Sequence, residues 1–143
     1  MTAPASAPDF GVVVPATTEH LHWVRGLCAS VRRFMGQTPI CVILDGERAP
    51  ADLQRLEGVV VLQRDDVEPK ELRDAGFRTP RAKNAALWAS PFETFLLVDA
   101  DTIVWGDMRE LADFDRFDFI VDSPGIEPVR TVMVKYLLVN CMK

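Results

Sequence analysis

Only three cysteines occur, at positions 28, 41 and 141, and no two of them form a Cys-x-x-Cys pair. That spacing gives no zinc or dithiol redox motif, and isolated thiols of this kind are expected to be buried and reduced. Basic residues are also short, since 16 Lys and Arg stand against 21 Asp and Glu for a net charge of −5. Dedicated binding to nucleic acid or to an anionic membrane draws its affinity from clustered Lys and Arg, so neither is expected. No stretch approaches the roughly 20 apolar residues needed to cross a bilayer. Residues 1–9, MTAPASAPD, are small, polar and proline-rich. They lack the basic start and apolar centre of a signal peptide, so a flexible tail is expected there and the cytoplasm is the expected compartment. No internal repeat, low-complexity tract or second domain boundary is visible.

What is present suits one domain over residues 10–143, with 48% hydrophobic residues in a chain of 143. Gly11-Val12-Val13-Val14-Pro15 is a β-branched run closed by proline and reads as a buried strand. Leu21, Val24, Leu27, Cys28, Val31, Phe34 and Met35 then recur at helical spacing. Thr17 or Thr18 is placed to cap that helix, and Gly36 to end it. Ile40 to Leu44 is a second strand stopped by Asp45-Gly46, Pro50 opens a short helix through Leu56, and Val59 to Leu62 is a third strand. The alternation predicts right-handed crossovers and an α/β fold with a mainly parallel sheet and helices on both faces. A charged loop over 63–76 with a short helix near its end follows. Thr79-Pro80 starts another helix through Ala89, on which Ala82, Ala85, Ala86 and Trp88 offer a small packing surface. Strand candidates follow at 95–98 and 117–121, with a short helix near 107–112 between them, and residues 131–139 suit either a strand or a helix.

The densest signal is Phe95-Leu96-Leu97-Val98-Asp99-Ala100-Asp101-Thr102. Four large apolar residues in a row can be hidden on both faces only in a central strand, so the two acids sit where that strand emerges. In open α/β sheets ligands bind beyond the carboxyl ends of the strands, and paired carboxylates there suit a hard divalent cation that also holds a diphosphate.

In its surroundings, Lys83 to Thr102 (KNAALWASPFETFLLVDADT) resembles the central segment of GT-A fold glycosyltransferases, nearest to the glycogenin-like and mannosyltransferase-like groups. There a Lys-led helix, a short loop, an apolar strand and Asp-x-Asp follow one another, with a turn like Met108-Arg109-Glu110-Leu111 shortly after. Val12-Val13-Val14-Pro15-Ala16-Thr17 resembles more weakly the family's nucleotide-contacting first strand. The resemblance covers the amino-terminal, donor-binding portion and implies a nucleotide-diphospho-sugar donor, with a glycan, protein or small molecule as acceptor. It implies Mn²⁺ or Mg²⁺ held by Asp99 and Asp101, Asp101 more directly, with Asp99 also near the sugar or ribose. Lys83 would approach donor groups from its helix. The family's later acceptor-binding and catalytic parts are not apparent, so an amino-terminal portion or a shortened relative is expected and no catalytic residue is assigned.

Each candidate also has an ordinary structural role. Ala16 and Thr17 are placed for contacts to base or ribose, but Thr17 is equally a helix cap. Asp45 could reach the nucleoside, but Asp-Gly is also a turn signal. Arg81 and Lys83 are ordinary solvated charges if they do not meet phosphate. His20 and His22, two apart on a helix, face different sides and do not suit a shared metal. Trp23, Trp88 and Trp105 are more often packing residues than stacking platforms, and Trp105, just past the acids, is the one of interest. Val98 to Val104 (VDADTIV) also resembles the haloacid-dehalogenase-like phosphatase strand, in which Asp99 would be a nucleophile and Asp101 a general acid/base. That strand usually opens its domain, whereas three strand candidates precede it here. A noncatalytic nucleotide-binding module is the remaining reading.

Overall fold

The computed structural model describes residues 10–46, 49–68, 70–76, 82–111, 119–121 and 136–140. In chain order the elements are β1 (Phe10–Thr17), α1 (Leu21–Met35), β2 (Ile40–Asp45), α2 (Ala51–Gln54), β3 (Val59–Gln63), α3 (Lys70–Gly76), α4 (Ala82–Ala89), β4 (Thr94–Val98), β5 (Phe119–Val121) and β6 (Tyr136–Asn140). One six-stranded sheet has the order β3-β2-β1-β4-β6-β5. Strands β1 to β4 run parallel, and β6 pairs antiparallel with both β4 and β5. The parallel part follows from helices that return each chain segment to the same edge.

Period-2 alternation sorts the strand residues between two cores. Val12, Val14 and Ala16 of β1, Ile40, Val42 and Leu44 of β2, and Leu96 and Val98 of β4 pack with Val24, Leu27, Cys28 and Val31 of α1. Val13, Cys41, Ile43, Phe95 and Leu97 form the other face with Ala86 of α4. A strand buried on both faces cannot alternate apolar with polar residues, which is why β1, β2 and β4 read as continuous apolar runs.

Several local expectations are corrected. Pro15 does not close β1, which continues to Thr17 paired with β2 through Thr17↔Asp45. Pairing of β1 with β4 reaches only Val13↔Leu97, so beyond that point β1 has a ladder on one side. Neither Thr17 nor Thr18 caps α1. A 3₁₀ turn, Thr18–His20, precedes the helix, and no side chain bonds to its first backbone groups. Within residues 63–76 the expected short helix is present as α3, and a 3₁₀ turn, Arg64–Asp66, stands where a loop was expected. On α4, Trp88 points outward and is 76% exposed, Ala86 is buried with Leu87 and Ala89 packed beside it, and the side chains of Ala82 and Ala85 lie outside the described ones. Of residues 131–139, the described ones, 136–139, lie in the strand β6, which pairs with the edge of β4, and 131–135 lie outside the described residues. Gly36 ends α1 with φ +61, as its sequence position indicates. The tail at 1–9, Thr79-Pro80, Arg81 and Cys141 lie outside the described residues.

Candidate functional site

In the order 3-2-1-4, connections leave β1 toward β2 on one side while β4 lies on the other. The carboxyl ends of β1 and β4 therefore flank the switch point at which such sheets open a crevice. Thr17 ends β1, Asp45 ends β2 opposite it, and Asp99 follows directly on β4. By the alternation of their strands, Thr17, Asp45 and Asp99 all fall in the rows that face α4. Ala16 and Ala100 fall in the other row and are buried against α1. The sheet thus brings the expected residues Ala16, Thr17, Asp45, Asp99 and Asp101 to one edge.

Asp99 to Thr102 form a turn in which the Thr102 N–H donates to the Asp99 carbonyl at 3.0 Å. Ala100 and Thr102 are buried while Asp101 is exposed and Asp99 half-buried. The small alanine between the acids is what lets the turn sit down on the core. Among the described residues no group of three or more His, Cys, Asp or Glu side chains converges. Two carboxylates on such a turn are the type of oxygen ligand that a hard divalent cation takes.

Lys83 lies in the first turn of α4. The helix feeds β4 through residues 90–93 only, in which the Phe92 N–H donates to Ser90 Oγ at 3.1 Å. That short link holds the end of α4 near the start of β4, so its beginning, with Lys83, is the end nearer the acid edge.

Sequence reasoning passed over two features. His20 Nδ1 and Thr17 Oγ1 are hydrogen-bonded at 3.1 Å, and the His20 ring stacks on Trp23 with centroids 4.9 Å apart. His22 contacts the same indole at 4.8 Å. Both histidines therefore surround Trp23 at the carboxyl edge. Trp105, by contrast, is carried away from the acids. The segment after Thr102 runs down α1, with Ile103 beside Gly26, the Val104 N–H donating to Ser30 Oγ at 3.0 Å, and Trp105 against Phe34 at 6.2 Å. Phe34 lies at the far end of α1, so Trp105 is no platform for the crevice. Ser30 had a visible signal, a polar residue among Leu27, Cys28 and Val31 on the apolar face of a helix.

A cavity of about 430 Å³ lined by Arg25, Cys28, Arg32, Gln37, Leu56 and Val59 lies elsewhere. Gln37 precedes β2 and Val59 begins β3, so it opens toward the amino edge of the sheet. Its arginines are engaged, with Asp52 on Arg25 at 2.8 Å and Arg32 donating to the backbone carbonyls of Thr38 and Glu57 at 2.6 Å.

No protein-family model matches the chain, and neither does any curated protein. Solved structures do. The galactosyltransferase LgtC, in complex with donor and acceptor sugar analogs, matches with a TM-score of 0.59 at 14% identity, over 91% of this chain and 57% of that one. The glycosyltransferase GlyE of Streptococcus pneumoniae TIGR4 gives 0.59 at 14%, over 94% and 34%. Residues 1–349 of S. aureus TarS give 0.51 at 20%, over 83% and 38%. The chain has the GT-A fold. It spans 57% or less of the length of each of these three chains. Within the GT-A fold, the acid turn of this chain occupies the edge where β1 and β4 part.

Proposed function

We propose that this chain supplies the donor half of a glycosyl transfer from a nucleotide-diphospho-sugar, with Mn²⁺ or Mg²⁺ held by Asp99 and Asp101. The observation that supports the reading is the Asp99-Ala100-Asp101 turn at the switch point of a GT-A sheet, opposite Thr17 and Asp45. Breaking the bond between sugar and diphosphate leaves negative charge on the departing oxygen, and a bound divalent cation supplies Lewis-acid neutralisation there. Asp99 and Asp101 hold the cation, Lys83 adds positive charge toward the phosphates, and Ala16, Thr17 and Asp45 line the side where base and ribose would rest. The acceptor is a glycan, a protein or a small molecule.

Calorimetric titration with UDP and with GDP, each with and without Mn²⁺, tests the reading. Binding of one nucleotide should depend on the metal and vanish with chelator. Asp101→Asn should weaken it by about tenfold or more, a loss of about 1.4 kcal/mol, because an amide keeps an oxygen ligand but removes the charge. Equal affinity in wild type and variant, or indifference to chelator, overturns the metal site. Binding without sugar release in a hydrolysis assay leaves a nucleotide-binding module.

A further inference from the structure

We infer that Ser30 is a positioning residue for the acid turn, its hydroxyl fixing where Asp101 stands relative to Asp99; the inference rests on the donor-site reading above. Ser30 is 8% exposed on the side of α1 that otherwise presents Val24, Leu27, Cys28 and Val31 to the core. Its Oγ donates to the Leu27 carbonyl at 2.8 Å and accepts from the Val104 N–H at 3.0 Å. A hydroxyl has one proton and two lone pairs, so a single side chain can serve both partners. The second bond joins residues 74 apart in sequence and is a polar tie between α1 and the segment that leaves the acids.

The turn is thereby held at both ends. The Thr102 N–H closes it on the Asp99 carbonyl, and Val104, two residues later, is pinned to the helix. Exposed Asp101 stands between the two anchors. Ala100 and Val104 also pack against α1, and Ile103 lies over Gly26. Apolar contact is non-directional and permits sliding along the helix, whereas a buried hydrogen bond fixes the register. Removing the hydroxyl leaves the Val104 N–H buried without its acceptor, which the segment can relieve only by shifting. A shift there changes the spacing of two carboxylates that must reach one cation together.

Ser30→Thr and Ser30→Val isolate the hydroxyl, because Thr and Val have nearly the same shape. Two measurements on the 143-residue chain are compared: affinity, by calorimetry with Mn²⁺, for whichever of UDP and GDP the wild type binds, and hydrogen exchange at the Val104 amide without ligand. Ser30→Val should weaken that Mn²⁺-dependent nucleotide binding by about tenfold and speed Val104 exchange by about as much, while Ser30→Thr stays within about threefold of wild type in both. Ser30→Ala replaces Ser30→Val if the branched side chain prevents folding, with the same expectation. Identical behaviour of the hydroxyl-bearing and hydroxyl-free variants in both measurements overturns the inference, as does faster exchange with unchanged affinity. A wild-type chain that binds neither UDP nor GDP with Mn²⁺ overturns the donor-site reading separately, and the ligand-free exchange arm then decides whether Ser30 anchors the turn.

Discussion

Cys41 sits in the middle of β2 with no exposed surface, and burial pushes its thiol up to about 12. In the unfolded chain a thiol titrates near 8.5. Between those values unfolding releases a proton, so this group's contribution to stability is complete below about pH 8.5 and falls as pH rises, by about 1.4 kcal/mol per pH unit. Urea unfolding at pH 8.5 and pH 10 should therefore show wild type losing about 2 kcal/mol more than Cys41→Ala. The thiol of Cys28 is also raised by burial and acts in the same direction in both proteins. Equal losses would mean that Cys41 is not shielded as described. The charged pairs contribute little by comparison. Arg109 donates to both Asp107 oxygens and holds that carboxyl below its usual range, but Arg109 is half-exposed and such pairs are screened.

Among the elements, the turn after β2 has the narrowest tolerance. Gly46 has φ +153, and a Cβ there would overlap Thr18 Oγ1. Gly46→Ala therefore has both a backbone penalty and a clash, and should destabilise the fold by about 1–3 kcal/mol in chemical denaturation. Because the turn follows Asp45 and leans on the residue after Thr17, the same variant should weaken UDP binding. An unchanged midpoint would contradict the packing of this turn. At the other edge Gly11 plays a steric part, since any side chain there would run into the buried ring of Phe92 that leads into β4. The helix α1 links the two ends. It covers β1, β2 and β4, and through Ser30 it holds the segment behind the acids.

At the scale of the whole molecule, the proposed donor site draws on the ends of separate strands, so ligand binding there would be linked to folding. UDP with Mn²⁺ at about 100 times its dissociation constant should stabilise the native chain by about 2.7 kcal/mol. For a domain of this size that corresponds to a rise in melting temperature of roughly 5–10 °C. The rise should disappear with chelator and shrink in Asp101→Asn. A melting temperature that follows UDP equally with and without metal would assign any binding to some other part of the molecule. No helix among the described residues is long and apolar enough to cross a membrane.

The apolar runs at 12–14, 40–44 and 95–98 were sufficient to identify central strands, because only burial on both faces tolerates so many β-branched and large residues in succession. The run before the acids likewise fixed their position at a strand end, and the alternation of elements announced the parallel sheet. Local pattern could not say which strand ends are neighbours. Thr17 meets Asp45, and both share an edge with Asp99, only because the order is 3-2-1-4. Nor could it show that Pro15 ends one ladder and not the strand, or that residues 136–140 turn antiparallel to complete β4. Trp105 looked close to the acids by count, yet the chain lays it along α1 at the far end of the helix. Ser30 is one polar residue on an apolar helix face, and its partner, the Val104 N–H, lies 74 residues on. Periodicity and composition are set by neighbours in sequence and are legible there. The partners of Thr17, Ser30 and Trp105 are set by long-range packing, and the sequence records only that each needed one.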